Sequence, residues 1–331
     1  MTAQSETRDK IDMKIIGLLL EDARKSFAEV GKELGISKNA VWSRYKNMTK
    51  AGIIKGATVE INYKGLGYDS VGTIRMEVEP PQIEKVSRFI KARVPDVFGP
   101  FSTASRYNLR AVMALRNISD LGKIKEELTS KLGITKISSA LWTDIWFTPE
   151  NLSLIPVRPT EVTNKKSAAN SAFDVYGLDL KLIRELAKDS RISFRSLAKK
   201  LDVSVDTVAR RYERLKENRV VVSRVQIDPT KIGYHALVNF YLRVMPHYDL
   251  DAVIREILQV QDVFYTMKCS GDFHVGLILM AKTIQDILGT GDRITGIPGV
   301  KRIETVVSEI YEKWPLPRTY TSMVGKNLTV A

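Results

Sequence analysis

A single cysteine, Cys269, among 331 residues excludes a disulfide framework and any CxxC metal knuckle. Histidine is almost as scarce: His235, His247 and His274 are the only three, and no HExxH motif joins them. Long apolar runs are missing too. Ile15 to Leu20 is interrupted by Gly17 and falls far short of the roughly 20 residues of a membrane-spanning helix. The leading MTAQSETRDK is polar and has no apolar signal core. The expectation is a cytoplasmic protein with no membrane partner. There is no phosphate loop and no GxSxG. Gly289-Thr290-Gly291 lacks the third glycine of a dinucleotide fingerprint and reads as a loop. These absences leave no catalytic residue, no metal and no cofactor to assign.

What is present is a globular composition, 44% hydrophobic and 27% charged. The length suffices for two or more domains with cores of their own. Lysine and arginine number 51 against 38 acidic residues, a formal charge of +13. Such an excess points to a polyanionic partner, with double-stranded DNA first. A merely solvated cationic surface is the other reading.

The chain repeats itself. Setting Asp12 against Asp179 brings Lys14 onto Lys181, Asp22 onto Asp189 and Arg24 onto Arg191. Ser26-Phe27 then meets Ser193-Phe194, Ser37 meets Ser204, Val41 meets Val208, and Arg44-Tyr45 meets Arg211-Tyr212. About a third of the positions from Ile11 to Ile54 are identical. After a one-residue gap, Gly67-Tyr68 falls on Gly233-Tyr234 and Asp96-Val97-Phe98 on Asp262-Val263-Phe264. The chain is a tandem duplication. Between the copies, residues 148–173 carry Pro149, Pro156 and Pro159 and then a polar run, which reads as a partly extended linker.

Each copy opens with three helical patterns. Ile11, Ile15, Leu18 and Leu19 share a helix face, as do Leu178, Leu182, Ile183 and Leu186. Ser26 and Glu29 have capping-box spacing; the second copy keeps Ser193 but has Ser196 in place of the glutamate. Gly35 and Asp202 mark a tight turn, both tolerant of positive φ. Ser37 and Ser204 read as N-caps of a third helix. Its buried face is Val41, Tyr45 and Met48, or Val208, Tyr212 and Leu215. Helix, tight turn and a helix with a basic exposed face is the helix-turn-helix pattern. The candidate DNA-binding residues are Ser37, Lys38, Asn39, Trp42, Ser43, Arg44, Lys46 and Asn47 in the first copy. In the second they are Ser204, Asp206, Thr207, Arg210, Arg211 and Arg214. Arg and Asn can read base edges, and lysines neutralise phosphates. Trp42 reads equally as a packing residue or a sugar–phosphate contact.

The rest of each copy reads β-α-β-β-α-β, a ferredoxin-like sandwich. Half-buried strands are expected where Ile74, Met76 and Val78 alternate with Thr73, Arg75 and Glu77, and again at Val238, Phe240, Leu242 and Val244. The hairpin connections differ. The second copy has Ser270-Gly271-Asp272-Phe273-His274, the first Ala104-Ser105-Arg106-Tyr107-Asn108. Gly271-Asp272 suits a turn needing positive φ. An exposed carboxylate beside backbone N–H groups can also hold an amino acid. Both readings stand. His274 reads as a turn residue rather than a metal ligand.

These runs resemble the Lrp/AsnC family of feast–famine transcription regulators. The resemblance rests on LDLKLIRELAKDSRISFRSLAKKLDVSVDTVARRYERL, on its first-copy counterpart IDMKIIGLLLEDARKSFAEVGKELGISKNAVWSRYKNMTKAGII, and on SGDFHVGLIL. It covers nearly the whole chain outside the linker and tails. It implies DNA binding by the first domain of each copy and pairing through the sheet of the second. It also implies an amino-acid effector near the Gly-Asp turn, which carries over to Gly271 and Asp272 with Ser270 and His274 as neighbours. Ser105 and Arg106 break that pattern in the first copy. Gly52 matches the family's glycine after the third helix; Arg219 does not, and Asn218 is expected to take the left-handed cap instead.

The expected fold class is α+β, two copies of a winged helix-turn-helix domain followed by a ferredoxin-like domain. The boundaries are 1–62, 63–147, linker 148–173, 174–228 and 229–331. The function is a sequence-specific regulator, not an enzyme, working as an intramolecular pseudo-dimer within a homo-oligomer. Two alternatives share the architecture or the charge: a siroheme-decarboxylase-like enzyme and a low-specificity architectural DNA-binding protein. Against the enzyme, none of the three histidines lies in the hairpin pattern those enzymes show.

Overall fold

A computed structural model of the chain describes residues 10–63, 66–93, 97–103, 105–148, 175 and 177–315. The expected linker, apart from Thr148, lies outside the described residues. The first unit comprises α1 (Lys10–Glu21), α2 (Phe27–Leu34) and α3 (Lys38–Lys50). Ser26 and Glu29 complete the capping box, and Gly35 at φ 69° turns the chain between α2 and α3. The second unit has α6 (Gly177–Lys188), α7 (Phe194–Leu201) and α8 (Val205–Glu217), with Asp202 at φ 54° in the corresponding turn.

The end of α8 corrects one expectation. Asn218 sits at φ −80° and Arg219, not Asn218, takes the left-handed conformation at φ 52°. Val220 fixes the register: its side chain is fully buried and its N–H donates to the Leu215 carbonyl at 2.8 Å. That anchor assigns the positive-φ position to residue 219 whatever its side chain. Asn218 caps instead through its side-chain amide, on the Arg214 carbonyl at 2.8 Å.

One strand follows each unit: β1 (Ile54–Ile61) and β6 (Val221–Ile227). They pair antiparallel with each other as a two-stranded sheet. The core is shared across the copies as a consequence. Val225 and Ile227 of β6 pack with Ile15, Ile16, Leu19 and Leu20 of α1, while Val59 and Ile61 of β1 pack with Leu182, Ile183 and Leu186 of α6.

The remaining strands are β2 (Ser70–Met76), β3 (Val97–Ser102), β4 (Leu109–Leu115) and β5 (Ile137–Phe147), then β7 (Ala236–Val244), β8 (Val263–Gly271), β9 (Val275–Ala281) and β10 (Val300–Glu309). The helices among them are α4 (Ile83–Arg93), α5 (Ser119–Leu132), α9 (Leu250–Ile257) and α10 (Ile284–Thr295), where Gly289-Thr290-Gly291 is helical rather than the expected loop. Each copy has the strand order of a ferredoxin-like sandwich, and β5 pairs with β8 to fuse both into one sheet ordered β10-β7-β9-β8-β5-β2-β4-β3. β2 and β10 are five strands apart in that order. At about 4.8 Å per strand a flat sheet would separate them by about 24 Å. Arg75 of β2 nonetheless reaches Glu304 of β10 at 2.7 Å. The sheet therefore curls until its two halves face each other.

This explains a second correction. β2 and most of β7 are buried on both faces rather than half-buried. Outward, Ile74 and Met76 pack on α4 and α5, and Val238, Phe240 and Leu242 on α9 and α10. Inward, the alternate residues meet the other copy. Alternation was correctly placed in the sequence, but its polar positions face a partner sheet instead of water.

That inner space is polar, aromatic and asymmetric. The Arg75 guanidinium donates to Glu304 and to the Ser138 hydroxyl, each at 2.7 Å, and lies within 5 Å of the Tyr107, Tyr241 and Phe273 ring centroids. Arg110 donates to Asn239 at 2.5 Å. The ladders align Arg75 with Ser138 and Tyr241 with Glu304, so Tyr241 and Glu304 are the second copy's equivalents of Arg75 and Ser138. The first copy supplies the arginines and the second supplies the carboxylate. Among the described residues no helix is long and apolar enough to cross a membrane.

Candidate nucleic-acid interface

Ser37 and Ser204 start the recognition helices α3 and α8, their hydroxyls accepting from the N–H groups of Ala40 and Thr207 at 3.1 Å. Beyond them Lys38, Asn39, Trp42, Ser43, Lys46 and Asn47 are exposed on α3. On α8, Asp206 and Arg210 are exposed and Thr207 is half-buried against the Ser204 hydroxyl. Trp42 combines both of its readings: half of it is exposed, and its ring lies against Phe27 and Tyr45.

Three of the candidate arginines turn inward. Arg44 pairs with Asp12 at 2.9 Å. Arg211 and Arg214 pair at 2.9 and 2.7 Å with Asp179, a fully buried carboxylate on α6. They therefore brace α8 on α6, two guanidinium groups sharing one buried carboxylate. The signal was present in the repeat itself, where Asp12 aligns with Asp179 and Arg44 with Arg211.

Once these pairs are subtracted, the two units carry charge in different places. On α3 the exposed ions are Lys38, Lys46 and Lys50, with no acid among them. On α8 the exposed Arg210 and Lys216 are accompanied by Asp206, Glu213 and Glu217, with Lys216 paired to Asp22. The second unit instead carries Arg195 and Lys199 exposed on α7, beside Lys200 that pairs with Glu185, where α2 has Lys32 between two glutamates. In a docked helix-turn-helix the first helix of the motif crosses the phosphate backbone while the second enters the groove. Nothing in the sequence marks Arg195 and Lys199, since exposed cations on the first helix of the motif look like any solvated face.

The two units also hold each other directly. Arg24 of the first donates to the Ser190 and Ile192 carbonyls at 2.6 and 3.0 Å, its guanidinium 4.3 Å from the Phe194 ring centroid and 5.0 Å from that of Tyr212. Arg191 of the second donates to the Ala23 carbonyl and lies 4.7 Å from the Phe27 centroid and 5.3 Å from that of Tyr45. Burial lowers the Arg24 pKa and raises that of the Tyr212 phenol. The contacts are reciprocal between aligned residues, the mark of a two-fold relation. Lys216 of α8 adds a pair with Asp22 at 2.9 Å, which raises the lysine's pKa.

The Gly271-Asp272 turn lies where β8 meets β5. A Cβ on Gly271, whose φ is +137°, would stand 2.6 Å from the Ser139 carbonyl oxygen of the first copy. The Asp272 carboxylate accepts from the Ser139 N–H at 3.2 Å. Beside this turn is a cavity of about 250 Å³ lined by Arg243, Val244, Pro246, Gly271, Asp272, His274 and Lys301. His274 Nδ1 accepts from the Val244 N–H at 3.0 Å, so its other nitrogen carries the proton when the ring is neutral. Ser270 does not line the cavity; it lies opposite Leu141 in the β5–β8 ladder. Cys269 is buried, and burial pushes its thiol up to about 12. Gly271→Ala is expected to cost about 2 kcal/mol through the clash and the backbone strain. A lowered urea midpoint at unchanged slope is the readout; an unchanged midpoint would show that the seam yields.

Paired helix-turn-helix units stand on facing ferredoxin-like sheets, an α+β scaffold that presents two exposed recognition helices of the DNA-binding type. Residues 8–55 match the family described as winged helix-turn-helix DNA-binding, and residues 177–216 the AsnC-type helix-turn-helix domain. The chain is 36% identical over 119 residues to the HTH-type transcriptional regulator Ptr1 of Methanocaldococcus jannaschii, covering 36% of this chain and 80% of that protein. It is 34% identical over 137 residues to the HTH-type transcriptional regulator LrpA of Pyrococcus horikoshii, covering 41% of this chain and 94% of that protein. The chain belongs to the Lrp/AsnC family of transcriptional regulators. Each relative is matched over most of its length but under half of this chain, consistent with one copy there and two here. The crystal structure of the siroheme decarboxylase NirDL superposes with a TM-score of 0.60 at 16% identity over 91% of both chains, a likeness of fold alone.

Proposed function

We propose that one chain contacts two unlike half-sites on a single duplex, about one helical turn apart, through α3 and α8. The reciprocal contact between the two units carries this reading, since it makes them one object with both recognition tips exposed. The division into units at 1–62, 63–147, 148–173, 174–228 and 229–331 belongs to the same proposal. In the first unit Lys38, Lys46 and Lys50 neutralise phosphates while Asn39 and Trp42 approach the groove. In the second, Arg195 and Lys199 of α7 take the phosphates and Arg210 the bases. An amino acid or another small acid is the proposed effector for the cavity beside Asp272, held by the cations Arg243 and Lys301. A non-enzymatic role is favoured because Arg75, Tyr241 and Phe273 occupy the space between the sheets. Association of chains into larger assemblies uses other faces.

Binding to selected and random duplexes at matched salt tests the reading. The selected duplex is expected to bind at least 10³-fold tighter. Arg210→Ala should cost about 1–3 kcal/mol on that duplex alone, whereas Lys46→Ala should weaken both duplexes and reduce the salt slope by about one. Equal affinity for both duplexes would support the low-specificity architectural alternative instead. Asp272→Ala should leave DNA affinity unchanged and remove any amino-acid response; a response that persists would remove the effector assignment.

A further inference from the structure

Among the described residues the two units are linked by the β1–β6 ladder, by shared cores that include Val41 and Met48 of α3 and Val208 and Leu215 of α8, and by polar contacts from Arg24, Arg191 and Lys216. The β1–β6 ladder fixes register, but a two-stranded ribbon twists more freely than a wider sheet. The shared cores hold α1 on β6 and α6 on β1. Arg24 and Arg191 each place a guanidinium against a ring of the opposite recognition helix. Arg24 lies over Tyr212 of α8, and Arg191 over Tyr45 of α3. We propose that Arg24 and Arg191 are positioning residues that set the angle and separation of the two recognition helices, so that the chain accepts half-sites at one spacing only. The inference rests on the DNA-binding reading above and deepens it.

The geometry suits this task. A guanidinium presents a planar fork, so it can donate to carbonyls in its plane while its face lies on an aromatic ring. Arg24 does both, bridging the Ser190–Ile192 turn and the Phe194–Tyr212 pair. Arg191 repeats the arrangement on Ala23, Phe27 and Tyr45. Neither side chain needs to meet DNA. Each holds the inner face of the helix whose outer face does. Lys216–Asp22 strengthens one side only, since the residue aligned with Lys216 is Thr49.

The test uses the full chain and a duplex library in which two half-sites are separated by spacers changed one base pair at a time. The parent is expected to select one spacing. The Arg24→Ala/Arg191→Ala variant is expected to keep the same half-site sequences but to lose on the order of tenfold in discrimination between the best spacing and one half a turn longer. Undiminished spacing selectivity in that variant overturns the proposal. In parallel, spin labels at Lys46→Cys and Glu213→Cys report the distance between recognition helices without DNA. A narrow distribution in the parent that broadens in the arginine variant supports the clasp; an unchanged width overturns it. A parent that selects no duplex overturns the DNA-binding reading, and the label distances then decide the clasp alone. If the double variant does not fold, Arg191→Ala is read by the same two criteria.

Discussion

Replacing Arg211 and Arg214 together by alanine is expected to lower stability by about 3–5 kcal/mol, while Arg210→Ala leaves it within about 0.5 kcal/mol. All three lie within one turn and a half of α8, so propensity does not separate them. What separates them is Asp179. Its carboxylate is fully buried on α6 and receives Arg211 and Arg214 on its two oxygens at 2.9 and 2.7 Å. Removing both cations takes two charge partners from a fully buried carboxylate, and that costs free energy. Arg210 is exposed and free to meet a ligand. Urea unfolding followed by helix signal checks the contrast. Equal, small losses for both variants would mean that Asp179 is solvated in solution.

The second large effect concerns the facing sheets. Glu304→Ser is expected to cost about 3 kcal/mol, because Arg75, only 3% exposed, loses its carboxylate. Adding Arg75→Tyr should recover most of that loss, since serine and tyrosine are what the opposite copy carries at the equivalent ladder positions. The same asymmetry disfavours any pairing of two like halves. Two first-copy sheets would bring Arg75 and Arg110 against their own duplicates with Ser138 in place of Glu304. Two second-copy sheets would bury Glu304 with no arginine opposite. Duplication within one chain thus fixed the pairing of unlike halves and freed each to specialise. A double variant no more stable than Glu304→Ser would remove this account of the seam.

The elements were legible because their signals are local. Caps at Ser26, Ser37, Ser193 and Ser204, the turns at Gly35 and Asp202, and the period-two strands each depend on neighbours within a few residues. The repeat supplied the copies and their order. What lay beyond it were contacts between copies, which no local pattern encodes. Asp12 and Asp179 aligned as repeat identities, yet they anchor the arginines of another helix. Arg24 and Arg191 aligned as ordinary repeat identities, yet each reaches the opposite unit. Gly271 and Asp272 read correctly as a turn, but their second partner, Ser139, is 132 residues from Gly271. The inner face of β2 looked solvent-facing because Thr73 and Arg75 are polar, and only the facing sheet explains them.

Most direct for the central claim is hydroxyl-radical footprinting of the full chain on its selected duplex, with the stoichiometry of the same complex measured by sedimentation. The account predicts two protected tracts about one helical turn apart, unlike in sequence, already present at one chain per duplex. A single tract at that stoichiometry, with the second appearing only when a second chain binds, would contradict it.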